Sequence, residues 1–457
     1  MRSLAVVGFA VVLGFVALGV PSPVTPVASA ATPIIAVTPV GVGDIVAGSV
    51  GRSSLRLTAT YTARLKLSWS HHRVRVDATL VVANTSGAPI DRLELNTIAA
   101  RLGNLRLDPV TVDGVPVTAT RSDQTLVVPL GGILPAGGST TVRVRFGADL
   151  RTNLAGSNWL FAKANGIVDL YRWLPWISRR TPFDRPNHGD PFVTPSSPLV
   201  RVTVVTDRKL VLATSGDRTS TSADGLTQTF EARDVRDFTV TAATDYRSRS
   251  RIVGDNVVRV YYRAGAPAAA MLDAAADAFT AIEARLGAYP YKTFRVAQSA
   301  GAYGMESPGL IWIPTGAPRA NLRYLIAHET AHQWFYGLVG NDGAREPFAD
   351  EAAADFMARY VTGTKRASRC PTGRLDGTIY GYTARCYYEK VYIQGGNLLD
   401  AARRRMGATA FWAAMRGYVA DHRFGLSSTT ALLHALDDAT PKDLGGTLFA
   451  PRFPRIY

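Results

Sequence analysis

The spacing of apolar residues changes along the chain, and this change constrains the fold more than any other feature of the sequence. Between about residues 55 and 250, apolar and polar residues alternate, as they do at Val74, Val76, Ala78 and Leu80. Alternation is typical of strands with one buried face, because successive side chains point to opposite faces. Similar runs, such as LVRVTVV and FTVTAAT, are separated by turns rich in Gly, Asp, Asn and Ser. The pattern predicts an all-β domain over 55–250, with a sandwich as the expected architecture.

A helical spacing replaces this alternation in the second half of the chain. From Pro267 to Gly287, apolar residues fall three or four positions apart, Pro stands where a first helical turn tolerates it, and Gly provides a stop. The same spacing recurs over 322–335, 351–360, 394–406, 410–419 and 429–436. The sequence therefore predicts a mostly helical second domain over 251–445, followed by a tail over 446–457. The chain is expected to be a multidomain α+β protein.

The N-terminus has the composition of an export signal. Arg2 precedes an apolar run from Leu4 to Val20, and an Ala-Ser-Ala cleavage site ends at Ala30. An uncleaved anchor is the alternative, because a run of about 17 apolar residues is only slightly short of a spanning helix. Residues 31–54, rich in Pro, Gly and Val, form a predicted leader. We expect a secreted or cell-envelope protein that loses its signal (1–30) and has no stable membrane insertion afterwards.

The chain is strongly basic, with a formal net charge of +15. A charge of this size is compatible with binding to nucleic acid or to anionic surfaces. The Arg residues are scattered, however, with the densest run at 403–405, and no nucleic-acid-binding signature is present. We therefore predict a solvated basic surface and no nucleic-acid partner.

The sequence contains two cysteines, Cys370 and Cys386. In an exported chain such a pair usually forms a disulfide, and closing this loop would stabilise the fold by about 3 kcal/mol. Two free thiols that bind a metal are the alternative. No Cys or His stands near them at ligand spacing, which favours the disulfide.

The stretch HETAHQWFYG contains the residues that indicate chemistry. His328 and His332 stand four apart, so on a helix both imidazoles face one point, and Glu329 can reach a metal-bound water. The alternative is a pair of structural histidines on an amphipathic helix. Catalytic zinc needs a third protein ligand, and Glu351 offers one nineteen residues after His332.

These residues resemble the signature of the aminopeptidase N family of gluzincin zinc peptidases, which is His-Glu-x-x-His, eighteen residues, and Glu. The letters HQW after the motif are similar to that family's continuation. The resemblance implies that one Zn²⁺ per chain is bound by His328, His332 and Glu351, and that Glu329 is the general base. It also implies that the β-rich half is the family's saddle-like domain and that the helical half is thermolysin-like.

A second motif, GMESPG, resembles the family's Gly-x-Met-Glu-Asn exopeptidase motif. The resemblance implies a substrate-binding role for Gly304, Met305 and Glu306, with Glu306 binding the free α-amino group of the substrate. A carboxylate beside the zinc can pair with an N-terminal ammonium and has no such partner inside a chain. Ser307 replaces the family's usual Asn.

Two tyrosines compete for the family's catalytic Tyr, whose hydroxyl supports the oxyanion. YYEKV keeps the Tyr-Glu-Lys letters at Tyr388, whereas VYIQGGNLLD keeps the Gly-Gly and the helix register at Tyr392. We prefer Tyr392, because the start of the helix determines where the hydroxyl points.

A carboxylate is expected to orient a zinc-bound imidazole. Asp355, one turn after Glu351, lies on the proper face to accept a hydrogen bond from a ligand His, and an ordinary surface Asp is the alternative. Asp350 stands where relatives usually have Asn, and EAAAD departs from their Glu-Gly-Phe-Ala. The chain is thus expected to be a divergent relative.

The sequence as a whole predicts an exported zinc aminopeptidase that acts on peptides with a free N-terminus. The large C-terminal helical domain of long relatives is missing, so a more open site is expected. A gluzincin endopeptidase is favoured instead if Glu306 points away from the cleft. A non-catalytic, zinc-stabilised protein that binds surfaces through its basic face is the third hypothesis, although Glu329 would then have no role. No oligomeric state follows from the sequence.

Overall fold

Strands dominate the first half of the chain, as the alternation of apolar residues predicts. The computed structural model describes residues 43–183 and 191–457, so the predicted signal at 1–30 and the first part of the predicted leader lie outside it. The strands of the described residues, numbered in chain order, are β1 Thr58–Ser68, β2 Arg73–Ala83, β3 Ile90–Asn96, β4 Arg106–Leu107, β5 Val110–Val112, β6 Val115–Val117, β7 Thr120–Ser122, β8 Thr125–Leu134, β9 Ser139–Asp149, β10 Phe161–Ala164, β11 Ile167–Leu170, β12 Trp176–Ile177, β13 Val200–Thr206, β14 Val211–Thr214, β15 Asp217–Thr221, β16 Thr227–Ala232, β17 Val240–Ala243, β18 Arg247–Val253, β19 Asn256–Tyr262, β20 Thr293–Ser299 and β21 Leu310–Pro314.

Helices follow from residue 268 onward, with one short helix earlier. The α-helices of the described residues are α1 Ile98–Leu102, α2 Ala268–Leu286, α3 Arg319–Ala331, α4 Ala353–Thr362, α5 Ala384–Tyr388, α6 Gly395–Met406, α7 Ala408–Asp421 and α8 Thr429–Asp437. Shorter helical turns are the 3-10 turn Asn158–Leu160 and the π-helical turns Phe348–Ala352, Glu389–Gln394 and Gly445–Phe449. The six helical stretches predicted from the sequence are confirmed as α2, α3, α4, α6, α7 and α8.

The largest sheet has nine strands, in the order β15-β16-β13-β1-β2-β9-β5-β6, with β4 also paired to β9. Strands β1 and β2 pair antiparallel along their full length, and β1 pairs parallel with β13. The residues of β2 alternate between buried and less buried positions, which confirms the predicted period. One face of this sheet therefore contributes to the core.

Two four-stranded sheets, β10-β11-β17-β14 and β12-β3-β8-β7, share that core. Buried residues from all three sheets form one continuous apolar cluster, which includes Tyr61, Phe146 and Trp173. Burial of such apolar surface is the main stabilising contribution to a sheet-rich region. The β-rich character predicted for the first half of the chain is confirmed.

The fourth sheet, β18-β19-β20-β21, underlies the helices. Strand β18 is antiparallel to β19, whereas β19, β20 and β21 run parallel. Helix α2 connects β19 to β20 and buries Ala275, Phe279 and Ile282, and it ends at Leu286 because Gly287 follows with φ of +104°. A second apolar cluster fills the space between this sheet and the helices.

The described residues form one compact unit, so the predicted domain boundary near residue 250 stays a prediction. The predicted disulfide is confirmed, since Cys370 and Cys386 are bonded with an S–S distance of 2.04 Å. Among the residues that the structure describes, no helix is both long enough and apolar enough to cross a membrane.

Candidate active site

Helix α3 carries the two histidines to one point. His328 lies in the last turn of α3, His332 is the residue that caps its C-terminus, and both are buried. Their Nε2 atoms are 3.2 Å apart. The spacing of four residues therefore places both imidazoles on the same face, as the sequence predicts.

Glu351 joins the pair from the π-helical turn Phe348–Ala352, which leads into α4. Its Oε2 atom is 3.4 Å from Nε2 of His328 and 3.4 Å from Nε2 of His332. Atoms that bind one zinc tetrahedrally at about 2.0–2.1 Å are separated by roughly 3.3 Å, so the spacing and the two-nitrogen, one-oxygen donor set both fit zinc. Burial opposes ionisation of Glu351, but the two neighbouring imidazoles outweigh it and lower the pKa of this carboxyl.

Asp350 orients the second histidine. Nδ1 of His332 is 2.6 Å from Asp350 Oδ1 and 3.0 Å from the carbonyl oxygen of Phe335. With its proton on Nδ1, the ring turns the Nε2 lone pair towards Glu351 and His328, as a metal ligand requires. Burial alone would lower the pKa of His332, yet the Asp350 carboxylate raises it well above its usual value. This role was not predicted from the sequence, although an acidic residue directly before Glu351 could have indicated it.

Asp355 does not orient a zinc ligand, and our prediction for it is wrong. Its carboxylate accepts a hydrogen bond from the Tyr324 hydroxyl and is 2.6 Å from the guanidinium of Arg359. The Tyr324 ring lies nearly parallel to that of His328, with centroids 6.3 Å apart. The Tyr324 hydroxyl thus donates to the carboxylate that was expected to accept from a ligand histidine. Nδ1 of His328 has no hydrogen-bond partner among the described residues.

Glu329 is buried beside the ligand atoms, where its carboxylate lies against the backbone of Gly304. A Cβ at position 304 would be 2.1 Å from Glu329 Oε1, so glycine is the residue that allows this contact. Burial raises the pKa of Glu329 to about 7, and the two imidazoles oppose the rise. A carboxyl group with such a pKa is suited to accept and return a proton near neutral pH.

Glu306 lies in the same cavity as the ligand atoms. One of its carboxylate oxygens lies within 4.8 Å of a carboxylate oxygen of Glu329 and a ring nitrogen of His332. Burial, together with the neighbouring Glu351 and Glu329 charges, raises the pKa of Glu306 well above its usual value. The predicted substrate-binding carboxylate therefore lies in the cleft.

Gln333, the second letter of HQW, holds the loop that carries Glu306. Its side-chain amide donates to the carbonyl oxygen of Ser307 at 2.9 Å and accepts from the backbone N–H of Gly309 at 2.8 Å. The backbone of Met305 pairs with Trp312 of β21, with distances of 3.2 and 2.8 Å. These bonds fix the loop against both α3 and the fourth sheet. Sequence reasoning noted HQW as a resemblance but missed this function.

Ser307, which replaces the Asn of the resembled motif, points away from the ligand atoms. Its hydroxyl donates to Asp237 and lies 3.0 Å from Oγ of Ser215. The side chain therefore ties the loop to the β-rich part of the chain.

Tyr392 is the tyrosine that reaches the ligand atoms. It lies in the π-helical turn Glu389–Gln394, its ring stacks on His328 with centroids 5.4 Å apart, and its hydroxyl lies close to the Glu351 carboxylate. Burial and the Glu351 charge raise the pKa of Tyr392 well above its usual value. The hydroxyl of Tyr388 instead accepts a hydrogen bond from Arg366.

Gly395 and Gly396 allow the close approach that positions Tyr392. A Cβ on Gly395 would lie 2.6 Å from Cβ of Ala352, and one on Gly396 would lie 2.6 Å from Asp355 Oδ2. Helix α6 therefore packs against the π-helical turn of Glu351 and against α4 only because these two residues lack side chains. The Gly-Gly pair identified in the sequence thus determines the register of Tyr392.

A cavity of about 410 Å³ opens onto the ligand atoms. Beyond the polar residues already described, its walls are mainly aromatic and apolar, formed by Trp159, Tyr303, Met305, Tyr324, Leu325, Tyr387 and Tyr388. The cavity brings together eight of the eleven site residues predicted from the sequence, since Asp355, Cys370 and Cys386 lie outside its lining.

Comparisons with known proteins identify the fold. No protein-family model matches the sequence, and no curated protein does so. Among solved structures, an M1 zinc metallopeptidase from Deinococcus radiodurans is 21% identical with a TM-score of 0.67, and the match covers 87% of this chain and 94% of that one. A mutant of an M1 zinc metallopeptidase from the same organism, bound to a Tyr-Ser-Ala substrate, is 21% identical with a TM-score of 0.66, covering 87% and 94%.

A third solved structure, a mutant two-domain M1 zinc metallopeptidase bound to L-arginine, is 21% identical with a TM-score of 0.64, covering 84% of this chain and 91% of that one. Because each match covers most of both chains, the similarity includes both the β-rich part and the helical part. The chain has the fold of these two-domain M1 zinc metallopeptidases.

Proposed function

We propose that this chain is a zinc-dependent aminopeptidase of the aminopeptidase N family, with a saddle-like β domain followed by a thermolysin-like catalytic domain. The fold supports this proposal, and so does the convergence of His328, His332 and Glu351 with spacings that fit zinc. Three protein ligands leave one position open on a tetrahedral ion, as catalytic zinc requires. We also propose one Zn²⁺ per chain, because His328, His332 and Glu351 can bind a single ion.

The observation that carries the proposal is the position of Glu306. The Glu306 carboxylate is buried, lies within 4.8 Å of Glu329 and of His332, and shares that cluster with no Lys or Arg side chain. The ammonium group of a peptide N-terminus would supply the missing positive charge, through charge-assisted hydrogen bonds. A peptide bound in this way has its first peptide bond close to Glu329.

Each step of the proposed reaction is assigned to one of a few residues. Zinc bound at this site would lower the pKa of a water molecule and polarise the substrate carbonyl. Glu329 takes the proton from the attacking water and passes it to the leaving amine. Tyr392, placed next to Glu351, donates a hydrogen bond to the oxyanion, and Glu306 fixes the N-terminal residue so that the reacting atoms stay aligned.

The same geometry separates the proposal from its alternatives. An endopeptidase was favoured if Glu306 pointed away from the cleft, but its carboxylate faces the cleft. A site used for structure alone would enclose zinc with four protein ligands and would have no use for Glu329. We place the enzyme outside the cytoplasm, as the N-terminal signal pattern suggests, and its substrates are peptides with free N-termini.

The proposal is tested with a panel of aminoacyl amides and short peptides, each in free and N-acetylated form, with and without a zinc chelator. We expect release of the N-terminal residue from free substrates only, and its loss on chelation. Equal cleavage of the acetylated peptides would establish an endopeptidase instead, and absence of hydrolysis by zinc-loaded protein would contradict both.

A further inference from the structure

A second cavity, of about 480 Å³, lies between the edge formed by β14, β15 and β16 and the strands β18, β19 and β20. It shares no lining residue with the cavity at the proposed zinc site. Four cationic side chains line it, together with one carboxylate, Asp217: these are Arg218, Arg259, Lys292 and Arg295. Four positive charges less one negative charge leave an excess of three in one small volume.

The four cations differ in the partners that their side chains have. Arg295 is buried, donates to the carbonyl oxygen of Thr293 at 3.3 Å and is paired with Asp217. Arg218 reaches a side-chain oxygen of Gln228 at 3.4 Å. Among the described residues, the side chains of Arg259 and Lys292 make neither an ion pair nor a hydrogen bond. Their charges are therefore available to a ligand.

The strand register places like charges next to each other. Arg259 of β19 lies directly opposite Arg295 of β20 in the parallel pair, so the two side chains share one face of the sheet. Like charges in such positions repel each other and destabilise the pair. Asp217 pairs with Arg295, so Arg259 and Lys292 have no counter-charge among the residues that line the cavity. An anion bound between them would remove this repulsion.

We propose that this cavity binds a small multivalent oxyanion, the chemistry shared by phosphate esters and polycarboxylates. Guanidinium groups bind planar or tetrahedral oxyanions through paired N–H donors, and an ammonium adds a point charge. The walls also carry the hydroxyl groups of Thr214, Thr293 and Ser248. The volume of the cavity is that of an ordinary small-molecule site.

Isothermal titration of the zinc-loaded full chain with sodium sulfate, at low ionic strength, tests the site. We expect saturable binding at one site, weakened as salt screens the charges. Glycerol 2-phosphate and succinate form the second arm: tighter binding of the first assigns the site to phosphate esters, and tighter binding of the second assigns it to polycarboxylates.

Paired variants locate the binding. Arg259→Gln with Lys292→Gln should weaken sulfate binding by about tenfold or more, because two charge-assisted contacts are lost. The matched control is Arg64→Gln with Lys66→Gln, which removes the same residue types from exposed positions of β1 and should change the affinity by less than about twofold. Asp217→Asn should tighten binding by a few fold, because the carboxylate that competes for Arg295 is removed.

No saturable binding of sulfate to the wild-type protein would overturn the proposal. Equal loss of affinity in the two double variants would do the same, because binding would then follow net charge and not this cavity. Asp217→Asn keeps the test decisive if the cavity variant proves unstable, since weaker binding in that variant contradicts the proposed competition.

Discussion

The two walls of the proposed zinc cleft are built in different ways. The helix wall consists of α3, the turn Phe348–Ala352 and α4, and it supplies His328 and His332 from the end of α3 and Glu351 from the turn. The tyrosine wall, residues 363–394, has no regular element before α5 and supplies Tyr392. The proposed metal ligands are thus held by packed helical elements, whereas Tyr392 is held both by the packing of α6 and by cross-links in the preceding loop.

The cross-links of the tyrosine wall are specific. The Cys370–Cys386 disulfide closes the loop onto α5, and the side-chain amide of Gln394 donates to the carbonyl oxygens of Cys370 and Pro371 at 3.0 and 3.2 Å. The backbone N–H of Arg369 donates to Glu389 at 2.7 Å. A change in the helix wall should therefore abolish catalysis, whereas a change in the tyrosine wall should misplace one catalytic group.

The largest effect is expected in the helix wall. Glu329→Gln keeps the size and burial of the side chain but removes the proton acceptor, so kcat should fall by about 10³–10⁴-fold. Zinc content, measured by mass spectrometry of the metal, should stay at one ion per chain because Glu329 is not a ligand. Retention of more than about a tenth of the activity would contradict the role of Glu329.

In the tyrosine wall, Tyr392→Phe should lower kcat by about 10²–10³-fold, because it removes one donor to the oxyanion. Tyr388→Phe is its matched control and should change kcat by less than about threefold, since that hydroxyl is bonded to Arg366 and not to Glu351. Steady-state kinetics of both variants distinguish the two candidates. The opposite order of effects would assign the role to Tyr388.

Some of these site residues could be predicted from the sequence. The histidine pair follows from spacing, because residues four apart on a helix share a face and α3 is helical over this stretch. The third ligand Glu351, the role of Glu329 and the choice of Tyr392 came from the resemblance to the family's motifs, with the Gly-Gly pair indicating the helix register of Tyr392. The structure then shows what residues such as Gln333 contact, whereas the sequence could only match them to a motif.

The partner of each histidine could not be predicted in this way. Asp355 was expected to orient a ligand, but Tyr324, one turn before His328 on α3, donates its hydroxyl to that carboxylate. Asp350 serves His332 from inside a π-helical turn, where one extra residue per turn rotates side chains away from ordinary helical positions. Local spacing identifies residues on one helix, whereas contacts between elements depend on how those elements pack.

The disulfide variant tests the cross-linking of the tyrosine wall. Cys370→Ser with Cys386→Ser should lower the free energy of unfolding by about 3 kcal/mol, because the loop regains its freedom in the unfolded state. Denaturant melts of oxidised wild type and variant measure this change. Zinc affinity should be unaffected, since the ligands lie in the helix wall. A loss of zinc with the disulfide would show that the two walls are not independent.

The smallest effect is expected from Glu306, which contacts substrate and takes no part in proton transfer. Glu306→Gln should lower kcat/KM for free peptides by roughly 10–100-fold, the value of a lost charge-assisted hydrogen bond. The ratio of kcat/KM for the variant to that for the wild type is the measurement. An unchanged kcat/KM would show that Glu306 does not bind the N-terminal ammonium.

The proposed reaction requires one zinc ion bound by two imidazoles and one distant carboxylate, with a position left for solvent. A crystal structure of protein purified with zinc, with diffraction recorded on both sides of the zinc absorption edge, would locate this ion. We expect a single ion within about 2 Å of His328, His332, Glu351 and one solvent molecule. An ion enclosed by four side chains, or a Glu351 turned away from the ion, would rule out the proposed site.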